Sequence, residues 1–454
     1  MANYPIDPVV GVVISLDTTP IPQQGFDSVM FLGEHKVFTE TWRVYNTSSA
    51  MLTDGFLSTD PSYIAIRTLE SGGAKPKTMI VGRRGFDDIT YTPTVEDLTV
   101  YSLDIAAPQD VYETFTFTSS GTATAAEIVD GLVADFTANA SVALAAVVTL
   151  TNVADELELA AIGGSAYSVK NVSDELNPST ATTVGYESVD DAVAAMRNED
   201  ATWAYFGIES RVSADVEAGR AIAESATEIF AHATNDPNGK VADGGSTLDE
   251  GYAERGLYTI GLWSADSAAY PEMAMLNKLA TVQIPGQTTL ENQTLNGIAV
   301  DSASTLTGSE AIIVRNKNAS TYESVAKQGF VFGGKSYSGQ YIDNVDLGRW
   351  TKARIQENVF QLLKSKADAR TKIEYTNEGI NLIGERILEV YNQGAAGGVF
   401  NPQFNNGQGY ILTLPDANEV PTNDKANRHL SGVVLTVQAT GAIDTIEISG
   451  IITV

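Results

Sequence analysis

The sequence predicts a multidomain chain of α/β plus α+β class: an α/β core domain, a small β-rich α+β module inserted into it, and a C-terminal α+β domain. Three observations lead there. Buried-strand patterns alternate with helical patterns over 28–84 and again from Val189 onward. Between those stretches, Asp87 to Asp190 holds 17 Asp or Glu against one basic residue, Lys170, a net of −16 in a chain of net charge −29. Past Thr288 the alternation gives way to a turn-rich segment, two helical patterns and terminal strand patterns. The boundaries that follow are 1–20 for an N-terminal arm, 21–86 with 189–287 for the α/β domain, 87–188 for the module, 288–430 for the C-terminal domain and 431–454 for a C-terminal strand arm.

Each element has a local reason. Val9 to Leu16 is a short strand pattern isolated by Pro5 and Pro8 on one side and Pro20 and Pro22 on the other. A strand so isolated needs a partner from elsewhere, because it cannot satisfy its own backbone. SVMFLGE (28–34) and TMIVGRR (78–84) read as buried strands, with a helix from Asp60 to Leu69 between them that opens on Asp-Pro. In the module, 113–120 alternates like a strand, 124–136 is an amphipathic helix, and 143–150, 156–161 and 166–172 read as strands. The core resumes with a helix at 189–197, a strand at 202–208, a helix from Ala214 to Phe230, a strand at 256–263 and a helix at 271–279. Beyond Thr288, 323–339 reads as a hairpin or turn segment. A basic helix follows, with Ile355, Val359, Leu362 and Leu363 on one face, and then a helix from about Asn377 to Tyr391. Gly432 to Gln438 and Ile443 to Val454 close the chain as strands, the latter with Ile446, Ile448, Ile452 and Val454 on one face.

Composition narrows the function. At 454 residues, roughly three domains fit the length, and 43% hydrophobic with 19% charged residues suits sizeable cores. No apolar run approaches a membrane span, and the opening MANYPIDPVVGVV lacks the basic and apolar regions of a signal peptide. Neither secretion nor membrane insertion is expected. With no cysteine, disulfides, thiolate nucleophiles and Cys-ligated zinc are excluded. The charge argues against nucleic acid, whose binding draws on Lys and Arg; a generally acidic proteome reads the same charge without any partner.

Chemical motifs are sparse. GFVFGGKS (Gly329 to Ser336) matches a phosphate-binding loop pattern, yet its variable positions alternate like strand interior and a turn follows it, so it reads as a strand and turn. His35, His232 and His429 lie far apart with no ligand spacing, and read as surface or capping residues. Paired acids such as Asp87-Asp88 carry little information in so acidic a chain. No catalytic residue, metal ligand or cofactor site is assigned, and the chain does not read as an enzyme.

The most informative stretch is Gly339 to Lys372. From Arg349 to Lys372 there are seven Lys or Arg against Glu357 and Asp368, a local net of +5. Lys364, Lys366 and Arg370 read either as stabilising the end of a helix or as a patch that docks an acidic partner. Within and around this stretch, F-V-F-G-G-K-S-Y-S-G-Q-Y-I-D, G-R-W-T-K-A-R-I-Q-E-N-V-F-Q-L-L and K-I-E-Y-T-N-E-G-I-N-L-I resemble, in that order, the C-terminal domain of contractile phage tail sheath proteins of the myovirus type. The opening V-V-G-V-V-I-S, M-F-L-G and M-I-V-G-R look like the family's first domain; Glu374 stands where the family pattern has proline.

The resemblance implies a structural virion protein, assembled in the host cytoplasm, that polymerises with itself as hexameric rings stacked in a helical cylinder. It implies the tail tube protein, baseplate and tail terminator proteins as partners, and contraction from a metastable extended state to drive the tube through a host envelope. Subunits of the family exchange terminal strands, which assigns that role here to Val10, Val12, Ile14 and Leu16 and to Ile446, Ile448, Ile452 and Val454. A tube-facing basic patch of Arg354, Lys364, Lys366 and Arg370 joins them, with Arg354 and Lys364 expected on the side of the helix away from its apolar face. Two other classes compete: an acidic surface-layer-like structural protein, and a nucleotide-dependent enzyme resting on Gly329 to Ser336.

Overall fold

The runs SVMFLG and TMIVGR have no polar face, so each needs apolar cover on both sides of a sheet. They have it in the computed structural model, which describes residues 23–86, 88–108, 111–178 and 186–444: all six residues of the first run are buried, and four of the second. These are β1 (Ser28–Gly33) and β3 (Thr78–Arg83), with β2 (Trp42–Tyr45) between them in the chain. The module supplies β4 (Asp88–Pro93), β5 (Val100–Ala107), β6 (Val111–Thr118), β7 (Val148–Val153), β8 (Glu156–Ala161), β9 (Ser168–Lys170) and β10 (Leu176–Pro178). Then come β11 (Tyr205–Ile208), β12 (Ile229–Thr234), β13 (Thr259–Trp263), β14 (Ser320–Val325) and β15 (Gln328–Phe332). The last two are β16 (Tyr410–Thr413) and β17 (Val434–Val437).

Two compact units divide these elements: Gly25–Leu347 with 441–444, and 23–24 with Gly348–Thr440. The larger is built on an eight-stranded sheet in the order β15–β14–β13–β12–β11–β1–β3–β2. From β14 to β3 neighbouring strands are parallel, while β15 and β2 add antiparallel edges. Parallel neighbours need crossovers. Helix Pro61–Glu70 links β1 to β3 by way of β2's edge, Ser213–Ala226 links β11 to β12, and Thr247–Glu254 links β12 to β13. Met30, Leu32, Phe206 and Phe230 pack with helices Val189–Asn198 and Ser213–Ala226. Phe31 and Gly207, one residue out of phase, meet Tyr270 and Met273 at the start of helix Pro271–Ala280 instead.

Two expectations change here. The helical pattern from Ala214 to Phe230 stops at Ala226, and Ile229 and Phe230 open β12. The stop is Thr227 in the left-handed region, φ 57°, so no glycine announces it. The hairpin β14–β15, placed by the sequence in a C-terminal domain starting at Thr288, belongs to the eight-stranded sheet, and the smaller unit begins at Gly348.

The module leaves after Phe86 and is back by Tyr186, whose ring lies 5.6 Å from that of Phe86. The two ends are tied by Glu187 N donating to Gly85 O (2.9 Å) and Gly85 N to Glu187 Oε2 (3.0 Å). Inside it, a four-stranded sheet (β10–β4–β8–β7) and a three-stranded one (β6–β5–β9) share a core with helix Ala125–Asn139. The expected strand at 143–150 is a helical turn, Val142–Ala145, capped by Ser141, with the strand starting at Val148. The module also grips the core: Lys36 Nζ sits 3.9 Å from the Tyr167 ring, Val169 N donates to Lys36 O (2.6 Å) and Tyr112 Oη to Val37 O (2.8 Å).

In the smaller unit, helix Ile342–Asp368 continues past Gly348 and is followed by helix Asn377–Ala396, whose cap Thr376 accepts from the Gly379 amide. Ile380 packs there with Ala417 and Val420.

Candidate assembly interface

The smaller unit ends in a structure that is incomplete as a sheet. β16 and β17 pair antiparallel, Tyr410 opposite Val437 and Thr413 opposite Val434, and among the described residues no third strand joins either edge. A lone two-stranded ribbon is marginal in water, and its outer edges carry backbone groups ready to pair. One face is supported. The Tyr410 ring lies 4.9 Å from that of Tyr391, and Leu412 and Leu414 come so close to Gly384 that a Cβ there would lie 3.3 and 2.8 Å from them. The other face is not: Ile411 is 43% exposed and Val434 53%. Just beyond β17, Gln438 O accepts from Asn401 N (2.8 Å) and Ala439 bridges to Phe400, which fixes the ribbon's end.

This arrangement can accept an added strand. Backbone bonds to either edge would give affinity, and the exposed Ile411 and Val434 would meet apolar side chains of the incoming segment. The residues assigned to strand exchange (Val10, Val12, Ile14, Leu16, Ile446, Ile448, Ile452 and Val454) all lie outside the described residues.

The basic segment divides on inspection. Arg354 is buried: its guanidinium pairs with Glu357 and donates to Gln24 O at 2.6 Å. It therefore does not project from the outer side of the helix, as the sequence suggested, because a carboxylate one turn on and a distant carbonyl hold it. Lys364 is exposed and reaches Asp368 at 3.0 Å; Arg370 is exposed and Lys366 half-buried. The apolar face differs too. Leu362 is buried and Ile355 and Val359 half-buried, but Leu363 is 52% exposed, next to Phe360 at 55%.

The phosphate-loop pattern has its amides engaged. Phe332 ends β15, and Gly333 and Gly334 turn the chain at φ 121° and 59°. Gly333 N donates to Glu291 Oε2 (2.6 Å), Gly334 N to Ser320 Oγ (3.1 Å) and Ser336 N to Gln340 O (2.8 Å). A phosphate needs free amides at a helix start; here a carboxylate takes the position, and the next helix starts only at Ile342. Two histidines are corrected as well. His35 and His232 are core residues rather than surface ones, kept neutral by burial, which pulls His232 down to about 3; its Nε2 lies 2.9 Å from Tyr337 Oη. His429 is exposed.

No protein-family model matches the chain, and no curated protein matches its sequence. Solved structures match its fold. A chain in the six-fold symmetrised cryo-electron-microscopy structure of the anti-feeding prophage baseplate aligns over 100% of both chains, with 10% identity and a TM-score of 0.50. A sheath tail protein of Desulfitobacterium hafniense aligns over 95% of this chain and 100% of its own, at 12% identity and a TM-score of 0.48. A sheath tail protein of Listeria innocua covers 93% and 96%, at 11% identity and 0.43.

Proposed function

We propose that this chain is a structural subunit of a contractile tail sheath, in a phage or a phage-derived injection device, and not an enzyme. The observation that carries the proposal is the β16–β17 ribbon, a sheet to which no third strand is added among the described residues, in a chain whose 9–16 and 443–454 stretches read as strands. The ordered motifs from Phe330 to Ile383 and the end-to-end fold likeness to a baseplate assembly chain support it.

In this reading the N-terminal arm (Val10, Val12, Ile14, Leu16) and the C-terminal arm (Ile446, Ile448, Ile452, Val454) of neighbouring copies fill those edges. Each side-chain alternation then matches the two-residue period of a strand. Such backbone ladders hold while subunit bodies move rigidly, so an extended lattice can fall to a compact one without nucleotide. Hexameric rings stack around a tail tube protein, bounded by baseplate and terminator proteins, and the exposed cations Lys364 and Arg370, with Lys366, face the tube.

Deleting residues 1–16 tests the arm. The full chain should form long hollow cylinders under the electron microscope, whereas the truncated chain should stay folded by circular dichroism and form none. Cylinders of normal length from the truncated chain would remove the arm from the account.

A further inference from the structure

Where the inserted module leaves and rejoins the larger unit, a cavity of about 360 Å³ lies at its root, lined from the core by Lys36, Arg83 and Glu187 and from the module by the turn 164–166. Arg83 ends β3, and its Nε donates to Glu40 O at 3.0 Å. The two nitrogens at the tip of its fork have no hydrogen bond, and no carboxylate comes to ion-pair distance of them among the described residues. Arg43, Arg84, Arg211, Arg220 and Arg315 in the same unit each lie against a carboxylate. The second cation, Lys36, is committed to Phe86 O and to the Tyr167 ring 3.9 Å away, so it adds field rather than a contact. Glu187 is the one carboxylate lining the cavity among the described residues, and its Oε2 is taken by the Gly85 amide at 3.0 Å. On the module side Gly163 and Gly164 turn the chain at φ 62° and 72°, closed by Ser165 N donating to Ile162 O at 3.2 Å. The amides of Gly164 and Ala166 and the Ser165 hydroxyl make no hydrogen bond among the described residues.

The geometry points to a binding site for a small tetrahedral oxyanion of the phosphate type at the root of the module, with the Arg83 fork gripping two of its oxygens and the turn 164–166 donating to the others. A guanidinium fork matches two oxygens of a phosphate or of a carboxylate. A carboxylate spends both on the fork, whereas a tetrahedral ion keeps oxygens for donors on the facing wall. Lys36 and Arg83 outnumber Glu187, so the lining is positive in a chain of net charge −29. Burial pulls the Arg83 guanidinium down from its ordinary value, and Glu187, Glu40 and Glu199 offset this only from beyond ion-pair distance. A bound anion supplies the counter-charge that is missing there. Because its donors come from both module and core, the ion favours the docked module and adds to the direct contacts at Lys36 and Val37.

Calorimetric titration of the full chain with inorganic phosphate tests this, with sodium chloride holding the ionic strength constant because salt alone screens a chain of this charge. Binding should saturate in the millimolar range, and phosphate should slow hydrogen exchange on a peptide covering 162–168. Arg83→Gln should weaken phosphate by at least about tenfold and abolish the added protection, while Arg83→Lys, which keeps the charge but not the fork, should fall between. Acetate should bind the native chain at least about tenfold more weakly than phosphate. Absence of saturable binding, native affinity in a folded Arg83→Gln chain, or acetate bound as tightly as phosphate would each overturn the site. Should Arg83→Gln fail to fold by circular dichroism, the native chain still decides: phosphate bound with exchange at 162–168 unchanged would also overturn it.

Discussion

Arg354 shows how a single side chain can mislead a reading by charge. It belongs to a run of cations in an acidic chain, yet its guanidinium is enclosed by Glu357 and the carbonyl of Gln24. The partner three residues on is visible in the sequence as an i, i+3 pair; the one from residue 24 obeys no local spacing and is not. Removing one member of an enclosed pair leaves the other charge without its counter-ion. Arg354→Leu should therefore lower stability in urea by about 2 kcal/mol, while Lys364→Ala, exposed with its Asp368 partner, should change it by less than about 0.5 kcal/mol. The roles reverse for the tube: Lys364→Glu with Arg370→Glu should weaken tube association, and the native association should itself decline with added salt. Equal stability losses at both positions, or tube association untouched by the double reversal, would return the segment to helix-end stabilisation.

At the scale of elements, legibility followed burial and length. β1 and β3 were readable because six-residue apolar runs between turn signals leave little choice. β12 was hidden because Thr227 closes the preceding helix in a conformation usually left to glycine, so helix and strand ran together as one apolar pattern. β16, with four residues and only half of them inward, gave almost no pattern, and yet it makes half of the candidate interface. Charge sets the stretch from Asp87 to Asp190 apart in the sequence, but the contact of Lys36 with Tyr167 is not legible there, since a buried lysine against a ring leaves no trace in spacing. Replacing 88–185 with a short Gly/Ser linker should keep the fold, because Gly85 and Glu187 are already bonded to each other. It should also lower the melting midpoint, because Lys36 loses Tyr167 and Val169 and the Val37 carbonyl loses Tyr112. Assembly should persist; a folded excised chain that no longer polymerises would make the module part of the lattice.

For the whole molecule, a net charge of −29 on 454 residues favours solubility and discourages contact between copies at random. In the proposed assembly, ordered association would come from directional contacts, and the edges of β16 and β17, unpaired among the described residues, would provide them without needing complementary charge. That is why the ribbon, rather than any pocket, bears the functional argument. If copies of this chain join by adding strands to β16 and β17, cryo-electron microscopy of the purified full-length chain should show hollow cylinders in which a strand from a neighbouring copy runs beside 410–413 or 434–437. Separate globular particles, or cylinders with both ribbon edges bare, would rule out strand addition at the ribbon.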